Sequence, residues 1–478
     1  MATSTIDRGL RWTSLMAIVM TVVALASIVV GIYLSDDGVR VFLFGIAFAS
    51  LVFVFLPVYF KRDYMIFEPH SFVLGSVVLG MFFKTFYLMV GIGRSDVVDK
   101  RLMLGLTAEV LQFGAFVLFL GLGVYAIGYL LGGLGTSKIV GVYRNYRFPY
   151  SRAVGFSFLV IVISIVLFSL HVQAVGFSFN QLSDLSQKRF VGEGQLPGER
   201  FGQIAYIYYK LALLSKAPMY LLFYMVYRYR QSWFSAAGLL FFVALTLNIV
   251  APFFVSNKAG IILPLVDLLV ISFLISRRFN WRAMIVVAGS GVAIMAIIAA
   301  FRGGEAIAHF DTFDKIFGNR YFVEITKTAH IVNAVPDVVD YFYGKSFIAW
   351  LNMVLPQSLE FDSIYFADMG FYLGSQVFFQ AHSGVTPGII AESYLNFGLT
   401  GVVLCMFVVG YSLSRIHRNL SGSMDNAVVL IIYALFVVRA PAMLFNGSLS
   451  TAILKCGLDI FTVFLFLMLV KSQRGSFK

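Results

Sequence analysis

The run His382-Ser-Gly-Val-Thr-Pro-Gly-Ile-Ile-Ala-Glu392-Ser-Tyr-Leu-Asn-Phe-Gly398-Leu-Thr-Gly401 closes a long polar and aromatic stretch, Phe301 to Phe397, and opens a strongly apolar one. Another strongly apolar run precedes the stretch. Elsewhere the chain reads as one apolar run after another, joined by short connections, and runs of about 18 or more apolar residues span a bilayer. A polar stretch of this length held on one face of a membrane protein is the natural seat of its chemistry.

The composition agrees. Of 478 residues, 59% are hydrophobic and 13% charged, and 50 are Phe; soluble domains carry about 25% charged residues. The expected fold is an all-α polytopic membrane protein, one integral membrane domain over 1–478. The first apolar run, from near Trp12, lacks a small-residue cleavage site and reads as a retained helix, not a signal peptide. Cys405 and Cys456 lie in apolar runs without metal-ligand spacing and read as small buried side chains. No basic tract of nucleic-acid type is present, so no nucleic-acid partner is expected.

The pattern predicts about twelve transmembrane helices, near 12–34, 39–60, 71–93, 106–133, 153–172, 204–226, 233–254, 259–276, 283–300, 388–414, 426–445 and 450–470. With the N-terminus inside, the two termini and alternate short connections together collect half of the 36 Lys and Arg, among them Lys61, Arg62, Arg147, Arg277, Arg415 and Arg418. The segment 301–397 carries five Lys or Arg against ten Asp or Glu. Cationic short loops stay inside while the acidic one crosses over, so both termini are expected in the cytoplasm. Two outer loops are long, 173–203 and 301–397. Within the second, Phe322–Val335 and Phe342–Val354 are predicted as short amphipathic helices at the membrane interface. No repeat is visible between the two halves, which counts against a repeat-built transporter.

Candidate site residues are the cations expected on the outer side. Arg189 and Arg200 lie in the first long loop. Lys258 lies in the turn Ser256-Asn257-Lys258-Ala-Gly260, and Arg302 directly follows a span. Arg439 sits inside a span toward its outer end, where an Arg is costly unless it faces a polar cavity. Arg offers a planar fork to phosphate oxygens and Lys a point charge. The alternative for each is snorkelling to headgroups or pairing with a carboxylate. His382, followed by the run with Glu392, is the candidate general base, while His309 and His330 read as interfacial hydrogen-bonding residues. Glu392 orients an imidazole or a sugar hydroxyl, or caps its helix. Asp311 with Asp314, and Asp362 with Asp368, read as solvated loop acids rather than metal ligands. Lys455 and Asp459, four apart, are expected to pair. Lys84, Glu109, Lys210, Lys216 and Asp267 lie in or near spans and are explained equally well by packing pairs. No nucleotide, zinc or GxSxG motif stands out in a fitting context. Energy for any chemistry must then come from the substrate.

These features resemble the O-antigen polymerase (Wzy), or oligosaccharide repeat unit polymerase, family. The resemblance rests on the span pattern, on Lys188-Arg189, on Ser256-Asn257-Lys258-Ala-Gly260, on Phe301-Arg302, and on Thr386-Pro387 through Glu392 to Gly398 and Gly401. The last stretch also resembles the His-Asn then Glu-x-Gly-x-x-Gly pattern of O-antigen ligases, with Ser383 where Asn is usual and extra residues before the glycines. Lys258 stands where Arg is frequent. The resemblance implies a GT-C-like fold with a large periplasmic loop, in a bacterial inner membrane. It implies a metal-independent glycosyltransferase with no cofactor, moving a growing glycan from undecaprenyl diphosphate onto a lipid-linked repeat unit. His382 would be the base, steadied by Glu392, and Arg189, Lys258, Arg302 and Arg439 would hold the diphosphate. A chain-length regulator is the expected protein partner. The alternatives are an O-antigen ligase acting on lipid A–core and a lipid-linked oligosaccharide flippase.

Overall fold

The structure is a computed structural model that describes residues 38–61, 64–83, 106–134, 148–175, 203–255, 258–282, 325–353 and 386–471, with isolated positions between 284 and 293 and at 373 and 377. Every regular element among these residues is a helix. In chain order they are α1 (Gly38–Phe60), α2 (Pro69–Val77, continued by a π turn), α3 (Ala108–Gly132), α4 (Tyr150–Val175), α5 (Gln203–Ala212), α6 (Lys216–Arg228) and α7 (Ala236–Phe254). Then follow α8 (Lys258–Ser276), α9 (Ile325–Ala334), α10 (Lys345–Ile348), α11 (Ile389–Ser421), α12 (Ala427–Asn446), α13 (Leu449–Thr451) and α14 (Gly457–Val470).

Among the described residues seven helices are long and apolar enough to cross a membrane: α3, α4, α7, α8, α11, α12 and the continuous stretch Leu449–Val470. Gly45–Phe60 and Pro69–Phe82 are shorter apolar helices. All nine fall where the sequence expects spans. The expected spans at 12–34 and, for the most part, 283–300 lie outside the described residues. The expected span 204–226 is divided by a 3₁₀ turn, Leu213–Ser215, between α5 and α6. Pro218 explains the division, because it has no N–H to return to the carbonyl of Leu214 and its ring crowds that carbonyl. Along α4 a row of large apolar side chains, including Phe158, Leu159, Val162 and Val166, is exposed. In water such a face would be unstable, and lipid is its fitting solvent.

The chain divides into two compact units. The first comprises Met1–Ser137, Asp311–Arg418 and Ala440–Leu454. In it α3 packs on α1 and on α9. Its contact with α11 runs along glycines: the Phe407 carbonyl approaches Gly128, the Tyr411 carbonyl approaches Gly132, and the Tyr125 carbonyl approaches Gly410. Small residues let two membrane helices meet backbone to backbone, where van der Waals contact replaces the missing hydrophobic drive.

The helix predicted over Phe322–Val335 exists as α9, but it does not lie on the surface. Thr326, Lys327, Thr328 and Ala329 are buried along with its apolar residues. Gly114 is the reason: a Cβ there would stand 2.7 Å from the Ala329 Cα, so only glycine admits α9 this close to α3. The helix predicted over Phe342–Val354 is broken into α10 and a 3₁₀ turn, Ala349–Met353.

At one end of this unit, Lys61 and His417 both reach the buried carboxylate of Glu68, at 2.6 and 3.0 Å. Arg418 donates to the carbonyl of Gly133. Residues assigned to three cytoplasmic connections by charge thus meet at a common end of the unit.

The second unit comprises Lys138–Phe310, Asn419–Arg439 and Lys455–Lys478. Here α4 packs on α5 and α7, and α6 on α7, α8 and α14. Arg152 closes α14 by donating to the Leu469 carbonyl at 2.6 Å.

Candidate functional site

The run that decided the reading of the sequence is a broken helix. Phe397 (φ −144°, ψ 20°) and Gly398 (φ 61°, ψ −149°) interrupt α11. That second conformation is essentially reserved for glycine. The break releases two carbonyls, and both are met by the loop before α10: Phe342 N–H donates to the Leu395 carbonyl at 3.0 Å and Tyr343 N–H to the Asn396 carbonyl at 3.2 Å. Interrupted backbone at membrane depth is tolerated only where protein or a water-filled cavity satisfies it, and here protein does.

Side chains of the same run finish the joint. Asn396 is fully buried. Its amide nitrogen donates to the Ser346 hydroxyl (2.6 Å) and the Glu392 carbonyl (2.7 Å), while its Oδ1 accepts from Gly344 N–H (2.8 Å). Glu392, also fully buried, accepts from the Ser346 hydroxyl at 2.8 Å and from Leu449 N–H at 2.7 Å. Leu449 N–H belongs to the first turn of α13, where no intrahelical acceptor exists. Glu392 therefore does cap a helix, but α13 rather than its own. Ser448 completes that cap through Thr451 N–H.

The entry to α11 is clamped as well. Gly388 N–H donates to the Gly447 carbonyl at 2.7 Å, and the Thr386 hydroxyl to the Asn446 carbonyl at 2.5 Å. A Cβ at Gly388 would stand 2.6 Å from the Phe445 carbonyl oxygen. Beside this entry, 3.9 Å from that Cβ position, lies the amine of Lys327. Lys327 is a buried cation of α9 to which sequence reasoning assigned no role.

Arg439 is in the second unit and deeply buried. Its Nε and Nη2 donate to Asp267 Oδ2 at 3.2 and 2.8 Å, and Nη2 also donates to the Tyr220 hydroxyl at 2.9 Å. Nη1 donates to Asp459, which also receives Lys216 at 3.4 Å. Two cations and two carboxylates from α6, α8, α12 and α14 form one network. A diphosphate reaching Arg439 would have to displace a carboxylate. Asp459, expected to pair with Lys455, is engaged by Arg439 and Lys216, and a π turn, Ala452–Cys456, precedes it.

Of the other expected site residues, Arg189, Arg302 and His382 lie outside the described residues, as do Lys84, Arg200, His309, Asp311, Asp314, Asp362 and Asp368. Lys258 is described by its backbone alone, as the first residue of α8. His330 is half-buried on α9. Among the described residues no group of three His, Cys, Asp or Glu is placed to hold a metal ion. Cys456 is buried, Cys405 half-buried, and both are free thiols. Comparison with protein-family models, with curated proteins and with solved structures finds no match in any of the three.

Proposed function

We propose that the protein is a polysaccharide polymerase of the membrane, transferring a growing glycan from undecaprenyl diphosphate onto a lipid-linked repeat unit at the outer face. The observation that carries this reading is the broken helix at Phe397–Gly398, stitched by Glu392 and Asn396 to the segment 342–350. Glu392 and Asn396 of the quoted run are thereby each given a structural task, and residues 342–346 are tied to a span.

In this reading the anomeric diphosphate is already a good leaving group, so the protein supplies a base for the acceptor hydroxyl and positive charge for the departing diphosphate. His382 takes the hydroxyl proton. Arg189, Lys258 and Arg302 hold the diphosphate. Glu392 acts by positioning, since both of its carboxylate oxygens are already engaged by protein donors. The buried network around Arg439 lends some support to a lipid-linked oligosaccharide flippase, because intramembrane ion networks often mark transport paths.

One experiment separates these readings. Purified protein in lipid nanodiscs is given lipid-linked repeat units isolated from the source strain. A ladder of longer lipid-linked glycans is the expected product, and it should vanish in His382→Ala and Arg302→Ala at unchanged protein level. Translocation across vesicles without elongation establishes the flippase. Transfer onto lipid A–core alone establishes the ligase.

A further inference from the structure

The loop that enters α10 carries a strained aromatic residue. Tyr343 has φ 47°, a left-handed conformation rare for a bulky side chain, and Gly344 follows at φ 86°. The strain is held in place from below: Tyr343 N–H is bound to the Asn396 carbonyl and Gly344 N–H to the Asn396 Oδ1. The tyrosine it presents is 72% exposed. Burial does not explain why a Tyr occupies a position suited to glycine. A strained, over-determined conformation that displays one side chain points to a use for that side chain.

Its surroundings define what it could hold. The ring of Tyr341 lies 6.2 Å from that of Tyr343, and Phe397, 45% exposed, lies against Gly344. Asn333, Asp337 and Asp340 are exposed on the segment that leads into this loop, three to ten residues before Tyr343. Exposed flat rings on a short segment that also exposes two carboxylates and an amide suit a pyranose, whose faces carry apolar C–H groups and whose rim carries hydroxyls. They match acyl chains and anionic headgroups poorly, because two exposed carboxylates would be driven against them.

We propose that Tyr343 and Phe397 form a sugar-binding platform, on which a pyranose ring of the glycan stacks while Asp337, Asp340 and Asn333 accept or donate at its hydroxyls. The proposal rests on the glycan reading above and adds the position of a saccharide subsite. The test is saturation-transfer NMR on the full chain in nanodiscs. The probe is the mixture of oligosaccharides released by partial acid hydrolysis from the source strain's own surface polysaccharide. Transfer to sugar ring protons is expected in the wild type and in Tyr343→Phe, with a loss of at least tenfold in Tyr343→Gly. That same Tyr343→Gly variant should unfold at a higher temperature, since glycine relieves the left-handed strain. Equal transfer in Tyr343→Gly and wild type, or none in either, overturns the platform. Normal elongation by Tyr343→Gly together with unchanged transfer would defeat the platform and leave the polymerase reading standing. Ring-proton transfer without any elongation by the wild type would do the reverse.

Discussion

The carboxylate of Glu392 and the hydroxyl of Ser346 meet at 2.8 Å in a fully buried joint, 46 residues apart in sequence. Asn396 donates to the same hydroxyl one helical turn later, at 2.6 Å. A serine hydroxyl has one proton and two lone pairs, so with Asn396 as donor its proton is available to the carboxylate. The result is an oriented chain, Asn396 to Ser346 to Glu392, whose direction is set by the acid at its end.

Truncating Glu392 and neutralising it should therefore differ. Glu392→Ala leaves Leu449 N–H and the Ser346 proton without acceptors, each costing about 1–3 kcal/mol when buried. The variant is expected to show a clearly lowered unfolding midpoint in detergent. Glu392→Gln keeps one carbonyl acceptor and the shape, and should remain folded with much of its glycan elongation. A folded Glu392→Gln with no elongation at all would show that the acid itself acts on substrate.

Gly398 gives a second contrast. Its backbone lies in the region where any side chain costs of order 1–3 kcal/mol. A Cβ there would also come 3.3 Å from the Tyr341 hydroxyl. Gly398→Ala should lower the unfolding midpoint and abolish elongation. Gly45→Ala, in a helix interior with nothing within 4 Å of the new methyl, should be neutral or slightly stabilising. Equal midpoints for the two variants would mean that the break in α11 is not required by the fold.

Much of this architecture was legible in the chain, because lipid-facing helices must be apolar for about 20 residues and periodicity reports that directly. The quoted run stood out for a different reason: Glu392, Asn396, Gly398 and Gly401 are polar or small where a span should begin. Its partner Ser346 was not legible. One serine among many carries no signal until the chain folds it under an acid 46 residues away. Asp267 and Lys216 were visible singly as intramembrane ionisable groups and Asp459 as a partner for Lys455, but sequence offers no rule for which of four helices pair, and nothing marked Tyr220. The burial of α9 was hidden because the deciding feature, Gly114, sits on another helix.

The network around Arg439 predicts a rescue. Arg439→Gln leaves Asp267 buried without its cation, and breaking one side of such a pair costs about 3–5 kcal/mol. Little folded protein is expected by size-exclusion chromatography. Adding Asp267→Asn removes the stranded charge and should restore a monodisperse peak. If Arg439→Gln alone folds normally and loses only donor turnover, Arg439 contributes to the diphosphate site instead.

Glu68 predicts a pH dependence within the first unit. Burial raises the pKa of its carboxyl, but the hydrogen bonds and charges of His417 and Lys61 outweigh burial and hold it below the usual 4.5. Tyr64, held well above its ordinary value by burial and by Glu68 itself, stays neutral and does not titrate in the acidic range. A carboxyl bound less tightly to protons when folded stabilises the fold above its unfolded pKa, and that contribution fades as pH falls through the folded value. Thermal unfolding in detergent should therefore show a midpoint that declines on acidification, with the part owed to Glu68 lost below the ordinary carboxylate range of about 4. Glu68→Gln should have a lower midpoint at pH 7 and a shallower acid decline, so that the two curves converge on acidification. Parallel curves, with the gap at pH 7 unchanged at pH 3.5, would show that the contacts of the Glu68 carboxylate with Lys61 and His417 contribute nothing to stability.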